Sequence, residues 1–227
     1  MDANAVQRTA GITGLVAAIL MLVELPLYFV YDGAPPDSNV LTRSLFGLLG
    51  LTLLIVFISG LGYLLRQTAY EWAGGLAATA GLLWLAVEFV SLGLEVGAVI
   101  QSPEPIDPTI AVSGTYILYG TVSRLPQALF MGTVGFVVLR AAVLPRRIGW
   151  SAAVLTVINL AFVPSLFFGN TPANFYAANG WGTTATMGGI TMLWFLAVGI
   201  SMARRRSPSP AMVPGTPAHL VASRRTA

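Results

Sequence analysis

The chain has no cysteine, no lysine and one histidine, and it carries few charges of either sign. Each scarcity removes a class of chemistry. Without cysteine there are no disulfides, thiolate nucleophiles or cysteine-ligated metals. Without lysine there is no Schiff base, and all twelve basic residues are arginine. The one histidine, His219, lies in a polar segment near the carboxyl end, which leaves no intramembrane ligand for haem and no partner for a serine dyad. No HExxH, P-loop or GxSxG pattern occurs. Charged residues make up 9% of the chain and hydrophobic ones 56%, against about 25% charged in soluble domains. A soluble fold of 227 residues could not cover its surface with so few charges. The net charge of +3 bears on membrane topology, and no nucleic-acid partner is expected.

What the chain has is six apolar stretches of bilayer length. A hydrocarbon core roughly 30 Å thick needs about 20 mostly apolar residues per helix. The pattern predicts an all-α bundle of six transmembrane helices over 10–31, 42–65, 72–100, 109–140, 147–169 and 182–203. Residues 1–203 form one transmembrane domain. From Arg204 the composition turns to Arg-Arg-Arg-Ser-Pro-Ser-Pro and a Pro- and Ala-rich run, so 204–227 is expected to be a disordered basic tail.

Arginine sets the orientation. With the amino terminus in the cytoplasm, Arg8, Arg66, Arg140, Arg146, Arg147, Arg204, Arg205, Arg206, Arg224 and Arg225 fall inside, and Arg43 alone falls on the outer side. That asymmetry follows the positive-inside rule and puts both termini in the cytoplasm of a cell whose plasma (inner) membrane holds the chain. The first apolar run exceeds the 7–15 residues of a signal-peptide core and has no small-x-small site after it, so it reads as an uncleaved span. Membrane lipid is the expected partner.

Charges inside the spans are the candidates for function, because an unpaired charge at that depth costs several kcal/mol. Glu24, Glu88, Glu95 and Arg124 are the four, with Tyr116, Gln127 and Asn159 as polar neighbours. Glu88 lies 13 residues before Gln101 and Arg124 15 after Thr109, so on antiparallel helices both sit near the midplane. An ion pair between them is expected. Glu95 is two turns outward of Glu88 on the same face, with Ser91 between. Glu24 lies level with Glu95, so two carboxylates would meet if the first and third helices touch. Such a pair could relay protons or act as an acid. Tyr116, Gly120, Arg124 and Gln127 share a stripe on the fourth helix, beside Ser123. Three carboxylates spread over two layers make a poor metal site, and neither a metal nor a cofactor is expected.

Two further patterns bear on architecture. Glu24-Leu25-Pro26 is echoed by Arg124-Leu125-Pro126, and Leu83-Trp84-Leu85-Ala86-Val87 by Leu193-Trp194-Phe195-Leu196-Ala197-Val198. These echoes admit a three-plus-three inverted repeat of the transporter kind, with a charge beside each proline break. Asn170, Asn174, Phe175, Tyr176, Asn179 and Trp181 lie in the third outer loop. They read as an interfacial aromatic belt with turn formers, or else as a lid over an outward-facing cavity.

Leu85-Ala86-Val87-Glu88 in the third span, and Leu144-Pro145-Arg146-Arg147-Ile148-Gly149-Trp150 leading into the fifth, carry a resemblance. With the layout of residues 8 to 203, they resemble a family of six-helix bacterial membrane proteins known only as a domain of unknown function. The resemblance implies the fold and brings no activity. Function therefore rests on the polar interior: binding or transport of a small molecule, lipid or proton. The alternatives are acid-catalysed chemistry on an apolar isoprenoid or lipid by Glu24, Glu88 or Glu95, and a scaffold subunit whose charges only fix packing.

Overall fold

The computed structural model of the protein describes residues 3–204. Those residues are helical with no strand, and six helices are long and apolar enough to cross a membrane. The spans are, in order, Asn4–Phe29, Asp37–Arg66, Glu71–Gln101, Gly114–Ala141, Arg146–Phe167 and Gly182–Arg204. Their outward faces carry large apolar side chains, among them Leu83, Val90, Leu125, Val157 and Leu193, each more than half exposed. Such a surface suits lipid and not water. The chain reads as a multi-pass integral membrane protein.

An even number of spans returns the chain to the side where it began, and the Gln7 amide donates to the Met202 carbonyl at 3.2 Å. The end of the bundle carrying both described termini is its inner end, the opposite one its outer end. Arg8, Arg66, Arg140, Arg146, Arg147 and Arg204 all lie toward the inner end. Arg205, Arg206, Arg224, Arg225, His219 and the expected disordered tail fall outside the described residues.

Each span packs on its neighbours in sequence, and span one closes the ring against span six, whereas spans five and six touch only lightly. Small residues permit the tightest approaches, as the glycines of span two suggest. A Cβ added at Gly50 would meet Met21 at 2.6 Å and one at Gly62 would meet Ala78 at 2.7 Å. Between spans one and six, a Cβ at Gly199 would meet the Gly11 carbonyl at 2.8 Å. Gly93 and Gly97, a GxxxG by spacing, face open space.

The inner half of the bundle is packed apolar core. Phe57, Trp84, Phe130, Trp194 and Phe195 form its centre, with Trp84 stacked on Phe195 at 5.7 Å between centroids. Near the outer end the helices depart from regular geometry. Proline starts two of the changes: span one runs α-helical to Glu24 and then 3-10 over Leu25–Phe29, and span five turns 3-10 over Val163–Phe167. Pro26 and Pro164 each lack the N–H that the α-helix would use. The other two changes are π-turns, Leu118–Val122 in span four and Gly182–Thr186 in span six.

Several boundaries differ from the sequence expectation. Span one starts at its inner end before residue 10, because Asn4 to Thr9 continue the helix and Gln7 anchors it. Span two begins at Asp37, where an acidic side chain in the first turn, just after Pro36, favours helix initiation. The fourth helix is not one rod over 109–140 but a short turn Pro108–Ala111, a helix Ser113–Ile117, the π-turn, and a helix Ser123–Ala141. The irregularities pair span one with five and four with six, whereas a three-plus-three repeat would pair one with four and three with six. The lightly touching spans five and six also do not reproduce the close packing of spans two and three.

Candidate functional site

Where the helices break, the bundle is hollow. A cavity of about 160 Å³ runs from the outer loops down to Glu88. Glu24, Glu95 and Tyr116 line it as well, together with Tyr28, Tyr119 and Ser91. The floor is Glu88, 3% exposed. Trp84 reaches up from the aromatic core and donates its indole N–H to Glu88 Oε1 at 2.7 Å. Glu88 thus marks the boundary between the packed half and the hollow half.

Glu24 sits at the junction of α and 3-10 geometry in span one. Tyr28, one turn outward, donates its hydroxyl to Glu24 Oε1 at 3.1 Å. Gly47 of span two makes room for this carboxylate, since a Cβ there would stand 3.1 Å from both of its oxygens. No arginine pairs with Glu24 among the described residues.

The intramembrane ion pair is one the sequence did not suggest. Arg43, expected on the outer side at the start of span two, is buried in that span and donates from Nε and Nη2 to Glu95 Oε1 at 3.0 and 2.6 Å. Its guanidinium lies over the Tyr28 ring, 4.0 Å from the centroid. Tyr116 donates to the other Glu95 oxygen at 3.3 Å. A chain of contacts therefore runs Glu24–Tyr28–Arg43–Glu95–Tyr116 across four spans. Glu24 and Glu95 do line one cavity, as their common depth suggested, although span two packs on both span one and span three and its Arg43 takes Glu95 as its partner.

The expected Glu88–Arg124 ion pair is likewise absent: no such contact within 4.0 Å occurs among the described residues. The cause is local. Gly120 has φ −79° and ψ −113°, outside helical geometry, and the break leaves backbone carbonyls without helical donors. Arg124 satisfies them. Nε donates to the Gly120 carbonyl at 3.0 Å and Nη2 to the Tyr119 carbonyl at 2.9 Å. Nη1 donates to Gln127 Oε1 at 2.8 Å, with Asn159 Oδ1 at 3.4 Å. The hydrogen bonds of Arg124 belong to the helix break and its neighbouring amides. Arg124, Gln127 and Asn159 form a buried cluster behind the cavity and do not line it.

The third outer loop covers part of the cavity from above. It leaves span five through Gly169, at φ 80°, a left-handed conformation that glycine adopts without strain. It then dips back into the bundle. Ala177, Ala178 and Asn179 are at most 3% exposed. Ala178 accepts a hydrogen bond from the Thr121 backbone N–H at 3.1 Å, docking the loop on the π-turn of span four. Around it Phe162, Phe168, Phe175, Tyr176 and Trp181 pack edge to face or tilted, and Tyr176 donates to the Ala161 carbonyl. Pro172, Asn179 and Trp181 line the cavity. The loop is more than an interfacial belt: it is the roof.

Of the seven expected site residues, Glu24, Glu88, Glu95 and Tyr116 converge on the cavity, and Arg124, Gln127 and Asn159 do not. Arg43, Tyr28, Tyr119, Trp84 and Asn179 complete the site. Arg43 was legible: on helices starting at Asp37 and ending at Gln101, Arg43 and Glu95 each lie six residues from the outer end. Comparison with protein-family models, with curated proteins and with solved structures finds no match.

Proposed function

We propose that this chain is a multi-pass protein of a bacterial plasma (inner) membrane, both termini cytoplasmic, that binds or transports a small molecule, lipid or proton through its outer cavity. One observation carries the reading: a cavity with three carboxylates in its wall extends from the outer loops to Glu88 at mid-bundle. A scaffold would fill that volume, since voids in a packed interior lose contacts on every side. An acid-catalysed enzyme on an apolar substrate calls for a closed apolar pocket ending on one acid. Here three carboxylates and three tyrosines share the lining. Glu24, Glu88, Glu95 and Tyr116 are the groups that would face the ligand, and Arg124 with Gln127 and Asn159 would hold the wall.

The test uses protein extracted directly into native nanodiscs and released in a mass spectrometer. Wild type should carry a small-molecule or lipid adduct, or conduct protons once in vesicles. Ser91→Trp, which places an indole in the cavity, should abolish whichever is found. An adduct or proton flux unchanged by Ser91→Trp, or neither in the wild type, would contradict the reading.

A further inference from the structure

Among the described residues, one carboxylate in the cavity lacks a counter-charge in contact and one amide lacks hydrogen bonds. The first is Glu24. The cavity lining holds three carboxylates and no guanidinium. Glu95 pairs with Arg43 in direct contact and Glu88 accepts the Trp84 indole N–H, whereas Glu24 has no arginine within 4.0 Å among the described residues. Its only hydrogen bond is from Tyr28 to Oε1. The second is Asn179, 2% exposed. Neither its amide nitrogen nor its amide oxygen has a hydrogen-bond partner, although it lines the same cavity. A buried amide left unpaired carries the full desolvation penalty of both atoms, so its place is accounted for when a ligand supplies a donor and an acceptor.

We propose that the cavity takes a small protonated amine bearing a hydroxyl or similar group, with Glu24 as counter-charge to the ammonium and the Asn179 amide reading the second group. This rests on the ligand-binding reading of the cavity and names the ligand's chemical class. Size supports it: an apolar cavity of about 150 Å³ holds one benzene, so this one, at about 160 Å³, takes a molecule of that order. The lining supports an organic cation over a metal ion. A hard cation asks for six or more oxygen ligands, whereas this wall also presents the rings of Tyr28, Phe29, Tyr116, Tyr119 and Trp181, whose faces attract ammonium groups. The opposite class finds no counter-charge in the wall, because no arginine lines the cavity and Arg43 donates from Nε and Nη2 to Glu95.

The probe is ethanolamine hydrochloride, whose ammonium and hydroxyl match the two groups. Ethylene glycol and sodium glycolate serve as its neutral and anionic counterparts, ethylamine hydrochloride lacks the hydroxyl, and chloride and ionic strength are held constant. Binding is followed on the full chain in nanodiscs by titration calorimetry, with Trp181 fluorescence as a second readout. Ethanolamine should bind saturably and ethylene glycol and glycolate should not. Glu24→Gln should weaken both amines by about tenfold or more, the worth of a charged hydrogen-bond partner. Asn179→Ala should weaken ethanolamine and leave ethylamine unchanged. The comparison of the four compounds on wild type decides the matter even where a variant fails to fold. Equal binding of glycol or glycolate overturns the cation assignment while leaving a ligand site in place. Absence of amine binding also overturns it and identifies Glu24 as holding a proton instead. An adduct that survives Ser91→Trp would remove the underlying reading separately.

Discussion

Each charged side chain in this bundle is held by a different device: Arg43 and Glu95 by each other, Arg124 by backbone and amide oxygens, Glu88 by an indole, and Glu24 by a tyrosine. Breaking a buried ion pair by removing one partner strands the other, which costs about 3–5 kcal/mol, whereas replacing both by apolar groups is often neutral. Arg43→Met or Glu95→Leu alone should therefore destabilise strongly in reversible unfolding from mixed micelles. The double variant should cost less than either single one. Additive costs would mean that the two groups reach water and do not depend on each other. Sequence depth alone located Glu88 and Arg124 at one level, but level says nothing of azimuth or of competing acceptors. Arg124 had four oxygens closer to hand. For Arg43 the error was a helix start placed at 42; Pro36-Asp37 signals an earlier one, and moving it buries Arg43 beside Glu95.

At the scale of elements, the site depends on helices that stop being regular at the outer end. Of the two proline breaks the sequence suggested, Pro26 does end α-helical geometry in span one, whereas Pro126 lies within the helix Ser123–Ala141 and the irregular turn precedes it. The π-turns were not readable, because no residue type compels an i to i+5 step; they form where another element takes up the freed groups. Gly120 shows how: Thr121 donates to Ala178 of the roof loop, and a Cβ on Gly120 would collide with that same Ala178 carbonyl. Gly120→Ala should lift the roof loop, destabilise the fold by about 2 kcal/mol or more, and speed amide hydrogen exchange over the buried Ala177–Gly180. Gly114→Ala, where an added Cβ meets open space, should change neither. Stability and exchange that match between the two variants would mean the roof is not docked there. The dip of Ala177–Gly180 into the bundle escaped sequence reading for the same reason: it complements a gap that exists only once Gly120 has broken span four.

The whole molecule divides into a packed inner half and a hollow, polar outer half. Six spans were legible because bilayer thickness is a coarse signal that survives any detail of packing. Cavity and roof were not, because they arise from where the helices fail. The central claim is that water reaches the middle of this bundle from the outer side. The chain's lack of cysteine permits a direct measurement: a single cysteine at Ser91, buried in the cavity wall, and another at Gly93, which faces open space outside the packing. Intact cells are treated with a charged, membrane-impermeant thiol reagent. Ser91→Cys should be labelled from outside, and Gly93→Cys, immersed in lipid, should not. Ser91→Cys protected in intact cells, or labelled only after the inner side is opened, would contradict the account.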